Sequence, residues 1–164
     1  MSLLYRLSSL ATSAKSLKAG IEKAKAVATQ VKKTMETYEI ASFQESLNKA
    51  ERNDASAQYE IGEDYYTGQG APQDYAEALR WFLKAADRGH SQAQANAGML
   101  YALGRGVAPD PIEALKWITL AVARGNKSAL NVQQSLLRKM SPEQVAEAQA
   151  RAKEWSTQRA ATTQ

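Results

Sequence analysis

Apolar and polar residues alternate along the first forty positions with the period of an α-helix. Apolar or small residues recur at spacings of four and three, which predicts one helical stripe with a heptad seam. No proline interrupts the pattern, and Gly20 is its only weak helix former. We therefore predict a long amphipathic helix over residues 1–40. Its stripe consists of Leu3, Leu7, Leu10, Ala14, Leu17, Ile21, Ala24, Ala28, Val31, Met35 and Tyr38.

The middle of the chain contains a block of 36 residues that occurs twice. Residues 54–89 and 90–125 align without a gap and share fourteen identical positions. A period of this length is typical of stacked repeats, in which each unit buries its apolar face on a neighbour. The identical pairs are Ala57/Ala93, Gln58/Gln94, Gly62/Gly98, Tyr65/Tyr101, Gly68/Gly104, Gly70/Gly106, Asp74/Asp110, Glu77/Glu113, Ala78/Ala114, Leu79/Leu115, Trp81/Trp117, Ala85/Ala121, Arg88/Arg124 and Gly89/Gly125.

Each block predicts two helices, A and B, joined by a glycine loop. Gly68 and Gly70 are expected to end helix A of the first block in the left-handed region. Asp74 and Glu77 have the spacing of a capping box that opens helix B. The face of helix A that we expect to be buried contains Ala57, Ile61 and Tyr65. The corresponding face of helix B contains Ala78, Trp81, Phe82 and Ala85.

These positions resemble the Sel1-like repeat, an α/α hairpin repeat related to the tetratricopeptide repeat. The second copy departs from the usual pattern at Ala97, where the family generally has leucine. The resemblance implies an all-α, right-handed superhelical solenoid that contacts other proteins. It is carried by Ala57-x3-Ile61-Gly62-x2-Tyr65-x2-Gly68-x-Gly70-x3-Asp74-x3-Ala78-x2-Trp81-x3-Ala85-Ala86-x2-Gly89 and by its second copy.

Partial repeats are predicted on both sides of the two full ones. Residues 41–53 align with a helix B, and Asn53 replaces the closing glycine, as the next-best residue for a left-handed cap. Residues 126–140 align with a third helix A, but the Ile-Gly pair of the repeat has become Gln133-Gln134. These partial repeats are therefore expected to pack less regularly than the full ones.

Residues 141–164 are predicted to form a C-terminal capping helix and tail. Ser141 is expected to cap the helix, Pro142 to stand at its first position and Gln144 to complete a capping box. The tail from Thr157 is expected to fray. One apolar stripe on this helix consists of Val145, Ala148, Ala152 and Trp155.

Charge is unevenly distributed along the chain. The net charge is +4, and residues 1–40 carry seven basic against three acidic side chains, so the whole excess lies in the N-terminal segment. A neutral repeat body argues against nucleic acid as a partner.

The chain has no cysteine, which excludes disulfides and thiolate metal sites. No apolar run is long enough to span a membrane. The expected location is cytoplasmic, and peripheral contact with a membrane is the alternative hypothesis.

The N-terminal stripe needs a cover, and three are compatible with the pattern: a protein partner or second copy, an anionic membrane surface, or the protein's own repeats. Lys18, Lys25 and Lys32 recur every seven residues beside the seam, with no acidic residue at the facing positions. This favours an acidic partner helix or an anionic membrane surface over a parallel homodimer. The predicted contacts on this helix are Leu3, Leu7, Leu10, Leu17, Lys18, Ile21, Lys25, Val31 and Lys32.

A second predicted surface is the concave groove that the resemblance implies along the A helices. Aromatic residues and methionine are favoured as anchors at interfaces, and an arginine suits a carboxylate. Mapped through Gly62 and Tyr65, the groove residues expected to bind a partner are Tyr59, Glu63, Tyr66, Met99, Asn131 and Arg138. Whether they meet a partner, solvent or the N-terminal helix is left open by the sequence.

No motif predicts catalysis, a metal or a cofactor. His90 is the only histidine and stands at the junction of the two blocks, where it is expected to start a helix. Asp74 and Asp110 have capping roles, and the two G-x-G sequences lack the preceding strand of a dinucleotide loop. We therefore expect a non-enzymatic interaction module, an adaptor or assembly subunit, with a membrane-associated protein as the alternative.

Overall fold

The structure, a computed structural model, describes the backbone of residues 3–162 and the side chains of residue 15 and residues 17–161. Every regular element in this part is an α-helix. The helices are α1 (Leu3–Glu51), α2 (Ala55–Thr67), α3 (Tyr75–Asp87), α4 (Ser91–Leu103), α5 (Pro111–Ala123), α6 (Ala129–Leu137) and α7 (Pro142–Thr162). The chain divides into two compact units, Met1–Ala41 and Ser42–Gln164.

The first unit is helical throughout its described part and carries the predicted stripe on an exposed surface. Leu17 is 68% exposed, Ile21 48% and Val31 51%. Because the unit is one helix, it offers no packing partner of its own for these side chains. The predicted contacts Leu3, Leu7 and Leu10 lie outside the described side chains.

The second unit is a stack of helical hairpins. Helices α2 and α3 form the first hairpin, α4 and α5 the second, and α3 packs on α4 between them. The two tryptophans at equivalent positions are buried, Trp81 at 5% exposure and Trp117 at 3%. These observations confirm the predicted helical pairs and their core positions.

Close contact within each hairpin depends on a glycine at the middle of helix A. A Cβ added at Gly62 would lie 2.5 Å from Phe82 Cδ1, and one at Gly98 would lie 2.7 Å from Ile118 Cγ1. Phe82 and Ile118 are both fully buried. The glycine therefore lets a large side chain of helix B sit directly on the backbone of helix A.

The predicted capping boxes at the two B helices are only half formed: the aspartate caps the helix, but the prediction that the glutamate reaches back was wrong. Asp74 accepts hydrogen bonds from the backbone nitrogens of Ala76 and Glu77, as a helix N-cap does. The Glu77 side chain does not reach back, because the Asp74 amide already donates to the Tyr65 carbonyl at 2.9 Å. Glu77 instead accepts from the Arg80 guanidinium. The second hairpin repeats this arrangement at Asp110, Tyr101, Glu113 and Lys116.

A complete capping box does occur at the start of α7. The Ser141 amide donates to Gln144 Oε1 at 3.0 Å, and the Gln144 amide donates to Ser141 Oγ at 3.3 Å. The expectation of a frayed tail from Thr157 was wrong, because α7 continues to Thr162. Arg159 in its last turns donates to the carbonyls of Asp87 and Arg88, which holds this part of the helix on the end of α3.

The partial repeat before α2 packs as a helix B without a helix A. Phe43 and Ala50 are buried against Ile61 and Trp81, and Asn53 adopts the predicted left-handed conformation with φ 69°. Four of the six positions that are buried in α3 are polar here. Ser42, Glu45, Ser46 and Lys49 stand one period before Ala78, Trp81, Phe82 and Ala85.

Candidate interaction surfaces

Tyr59 and Glu63 lie in the seam between α2 and α4. Tyr59 is half-buried, and its ring stacks on the His90 imidazole with centroids 4.6 Å apart. Burial, and secondarily a hydrogen bond with Glu63, raises the pKa of the Tyr59 phenol. Asn96 Nδ2 donates to Glu63 Oε1 at 3.4 Å. These two predicted groove residues thus hold adjacent repeats together, and only their exposed parts face outward.

Tyr66 is likewise engaged within the fold. Its ring packs edge-on against Tyr75 with centroids 5.4 Å apart. Arg105 Nη1 donates to the Tyr66 hydroxyl at 3.5 Å, and the guanidinium lies over the Tyr75 ring at 5.3 Å. The two aromatic rings and the cation fill the space between the first and second repeats at this level.

Met99 and Asn131 line an open cleft between α4 and α6. Its volume is about 670 Å³, and its walls are mostly apolar. We call it the α4–α6 cleft and define it by Met99, Ala102, Leu103, Pro109, Pro111, Asn131, Val132, Ser135, Leu136, Lys139, Met140 and Gln144. The predicted contact Arg138 is exposed and does not line this cleft, although its neighbour Lys139 does.

The cleft exists because two aromatic positions of the first repeat are small in the second. One period after Tyr66 stands Ala102, and one period after Tyr75 stands Pro111. Both of these residues line the cleft. The space that Tyr66 and Tyr75 fill between the first two repeats is therefore left open between the second repeat and α6.

The third hairpin does not close over this region. Helices α6 and α7 both pack on α5, but in the described part of the chain they do not pack along each other. The position of Gly62 and Gly98 is taken by Gln134. Gln149, which is exposed, lies as many residues after the cap residue of its helix as Phe82 and Ile118 lie after theirs. A long polar side chain at both contact positions prevents the close approach that the glycine allows.

Several apolar side chains near the cleft are unusually exposed. Leu103, which lines it, is 57% exposed, and Leu137 at the end of α6 is 41% exposed. Sequence reasoning did not identify Leu103, Pro109 or Met140. A comparison of the two repeats position by position could have found the cleft, because it shows where large residues are replaced by small ones.

Burial shifts the pKa values of His90 and Asp64, two titratable side chains of the repeat body. His90 caps α4, with its Nδ1 accepting from the Ala93 amide at 3.3 Å, and burial lowers its pKa. Burial, with Glu60 and Glu63 nearby, raises the pKa of Asp64 to about 6.

Within the described residues, no group of three or more metal-ligating side chains is close enough to hold an ion. In the same part of the chain, no helix combines the length and apolarity required to cross a bilayer.

Hairpins of equal length, repeated caps and helix-on-helix packing define the class of the repeat body as an α/α solenoid. Comparison with family models gives the particular type: the Sel1 repeat matches residues 55–90 and 91–126. Residues 55–126 therefore contain two Sel1 repeats. Sel1 repeats generally mediate protein–protein interaction and typically serve as non-enzymatic scaffolds.

Solved structures agree with this fold. A protective antigen of uropathogenic Escherichia coli with an SLR fold superposes with a TM-score of 0.68 at 24% identity, over 71% of this chain. A Sel1 repeat protein from Oxalobacter formigenes gives a TM-score of 0.54 at 33% identity, over 55% of this chain. This chain spans 25% and 37% of those two proteins, respectively. A search of curated proteins finds no match to this sequence.

Proposed function

We propose that this protein is a non-enzymatic interaction module that binds an acidic partner protein through the stripe on its N-terminal helix. The single observation that carries the proposal is the exposure of regularly spaced apolar side chains, among them Leu17, Ile21 and Val31. Burying one such side chain is worth about 1.5–3 kcal/mol. A stripe of this kind is costly to leave in water, and a partner helix would cover it.

The charges beside the stripe favour an acidic partner. Lys25 pairs with Glu22 at 3.1 Å and Lys32 with Glu36 at 3.8 Å, but all four side chains are more than half exposed. Such surface pairs contribute about 0–1 kcal/mol and exchange readily for a carboxylate on a partner. The lysine ladder also disfavours a parallel homodimer, since the positions that would face it carry no acidic residue.

The test compares two triple variants of the full-length chain. The first replaces Leu17, Ile21 and Val31 with aspartate on the stripe. The control replaces Ala19, Ala26 and Gln30 with aspartate, which makes the same charge change at exposed positions on the opposite face. Immobilised wild-type and variant proteins are exposed to extract of the source organism, and bound proteins are quantified by mass spectrometry. We expect acidic proteins that the control retains and the stripe variant loses.

Three outcomes would contradict the proposal. Identical bound sets for both variants would remove any role for the stripe. Sedimentation with phosphatidylglycerol vesicles at low salt, lost in the stripe variant alone, would identify a membrane surface as the cover. Unfolding of the repeat body in the stripe variant, read from the fluorescence of Trp81, Trp117 and Trp155, would instead assign the helix a structural capping role.

A further inference from the structure

The α4–α6 cleft is an open cleft with mostly apolar walls on the surface of the repeat body. Met99, Leu103, Val132, Leu136 and Met140 line it, and its volume of about 670 Å³ accommodates several side chains. We propose that this cleft binds an aromatic side chain on an acidic segment of the partner protein. The inference rests on the proposed function and adds a second docking surface to it.

The first repeat shows which group fits such a space. There Tyr66 occupies it, packed edge-on against Tyr75 and also lying 6.5 Å from the Phe82 ring. One period later the equivalent residues Ala102 and Pro111 leave the corresponding volume empty. Since the α4–α5 hairpin repeats the arrangement of α2 and α3, an aromatic ring from a partner would take the place beside it that Tyr66 takes internally in the first repeat. Flexible methionines on both sides suit this kind of contact.

The charge of the cleft selects an acidic segment. Lys139 is the one charged residue in its lining, and it forms no ion pair in the described part of the chain. Two acids adjoin lining residues in the sequence, but both are engaged. Asp110 caps α5, and a hydrogen bond with Ser141 lowers the pKa of Glu143. A carboxylate near the bound aromatic group would therefore meet an ammonium group that neither of these acids pairs with in the described part of the chain.

The same charge disfavours a second copy of this chain as the occupant. The exposed apolar residues of the N-terminal helix are accompanied by Lys18, Lys25 and Lys32. Inserting that helix would bring lysines toward Lys139. A segment rich in glutamate or aspartate has the opposite and complementary charge.

The experiment uses the full chain labelled with 13C at its methionine methyl groups. Met99 and Met140 line the cleft, whereas Met35 lies on the stripe of the N-terminal helix and reports binding there. The probe is a short acetylated peptide with phenylalanine between glutamates, and its twin has lysine in place of each glutamate. We expect the acidic peptide to shift the Met99 and Met140 signals and the twin to bind at least about tenfold more weakly.

Two variants with matched controls test the residues involved. Ala102→Tyr supplies internally the ring that the first repeat has, and we expect at least about tenfold weaker binding, equivalent to ~1.4 kcal/mol. Ala123→Tyr adds the same ring at an exposed position outside the cleft and should leave binding unchanged. Lys139→Glu should weaken binding several-fold, whereas Lys127→Glu, an equal charge change elsewhere, should have little effect.

The readout separates this inference from the proposed function. A shift at Met35 without shifts at Met99 and Met140 would overturn the cleft as a site while leaving the N-terminal stripe in place. Equal binding of both peptides would overturn the acidic specificity. Methyl shifts that depend on protein concentration in the absence of peptide would identify a second copy as the occupant. If Ala102→Tyr disturbs tryptophan fluorescence, the Lys139→Glu and Lys127→Glu pair still decides the question.

Discussion

Replacing Gly106 by alanine should destabilise the repeat body by breaking a contact between the two repeats. Gly106 lies in the loop between α4 and α5 with φ +71°. An added Cβ would come within 2.4 Å of both Ala76 N and Tyr75 C, which are backbone atoms in the first turn of α3. Backbone cannot rotate away as a side chain can, so the loop or the helix must move.

The size of the effect follows from two separable terms. A non-glycine residue in the left-handed region costs about 1–2 kcal/mol, and the reduced freedom of the unfolded chain returns about 0.4–1 kcal/mol. The collision adds about 1–3 kcal/mol, as overpacking generally does. Gly125→Ala isolates the first term, because Gly125 has φ +84° but nothing within 4 Å of its added Cβ. We therefore expect a loss of about 1 kcal/mol for Gly125→Ala and about 2–4 kcal/mol for Gly106→Ala.

Urea unfolding followed by tryptophan fluorescence measures the difference. All three tryptophans lie in the repeat body, so the signal does not report on the N-terminal helix. With slopes of about 1–3 kcal/mol/M, the two unfolding midpoints should differ by roughly 1 M. Equal midpoints for the two variants would show that the loop does not bear on α3 and would refute the reasoning.

Three further substitutions test the core, a half-buried acid and a helix end. Phe82→Ala should reduce the free energy of unfolding by about 3–5 kcal/mol in the same urea assay, because Phe82 is fully buried against Gly62; a loss below about 1 kcal/mol would argue against that packing. Asp64 has a folded-state pKa near 6, above its unfolded value, so its ionisation lowers the stability of the fold as pH rises from about 4 to 6. Asp64→Asn should therefore reduce the fall in melting temperature over this pH range, and an unchanged dependence of the melting temperature on pH would contradict it. Asn53→Gly should raise the melting temperature slightly, since glycine adopts φ 69° without strain, and a lower value would be inconsistent with a left-handed cap.

The repeat architecture could be predicted because its determinants are local in sequence. Helix periodicity, the cap residues Asp74 and Asp110, and the left-handed Asn53 each depend on a few neighbouring residues. The exact spacing of 36 residues then required the two blocks to share one structure. The predicted burial of Trp81 and Trp117 followed from that equivalence.

Features that depend on competition between partners could not be predicted in this way. The spacing of Asp74 and Glu77 permits a capping box, but the Tyr65 carbonyl takes the amide hydrogen that the box requires. The predicted groove anchors Tyr59 and Tyr66 were chosen as aromatic residues at groove positions, yet aromatic rings also fill the seams between repeats. A residue's position on a helix face does not reveal which of two available neighbours it contacts.

The divergence of the third repeat ends the repeat stack and also keeps the α4–α6 cleft accessible. In the full repeats, Gly62 and Gly98 let helix B close on helix A, whereas Gln134 prevents this in the third. A fully regular third repeat would place a closed hairpin beside α4 and α5. Because α6 is short and α7 packs on α5 instead, the apolar wall around Met99 stays accessible. The diverged third repeat thus adds to the opening that the small residues Ala102 and Pro111 of the second repeat create.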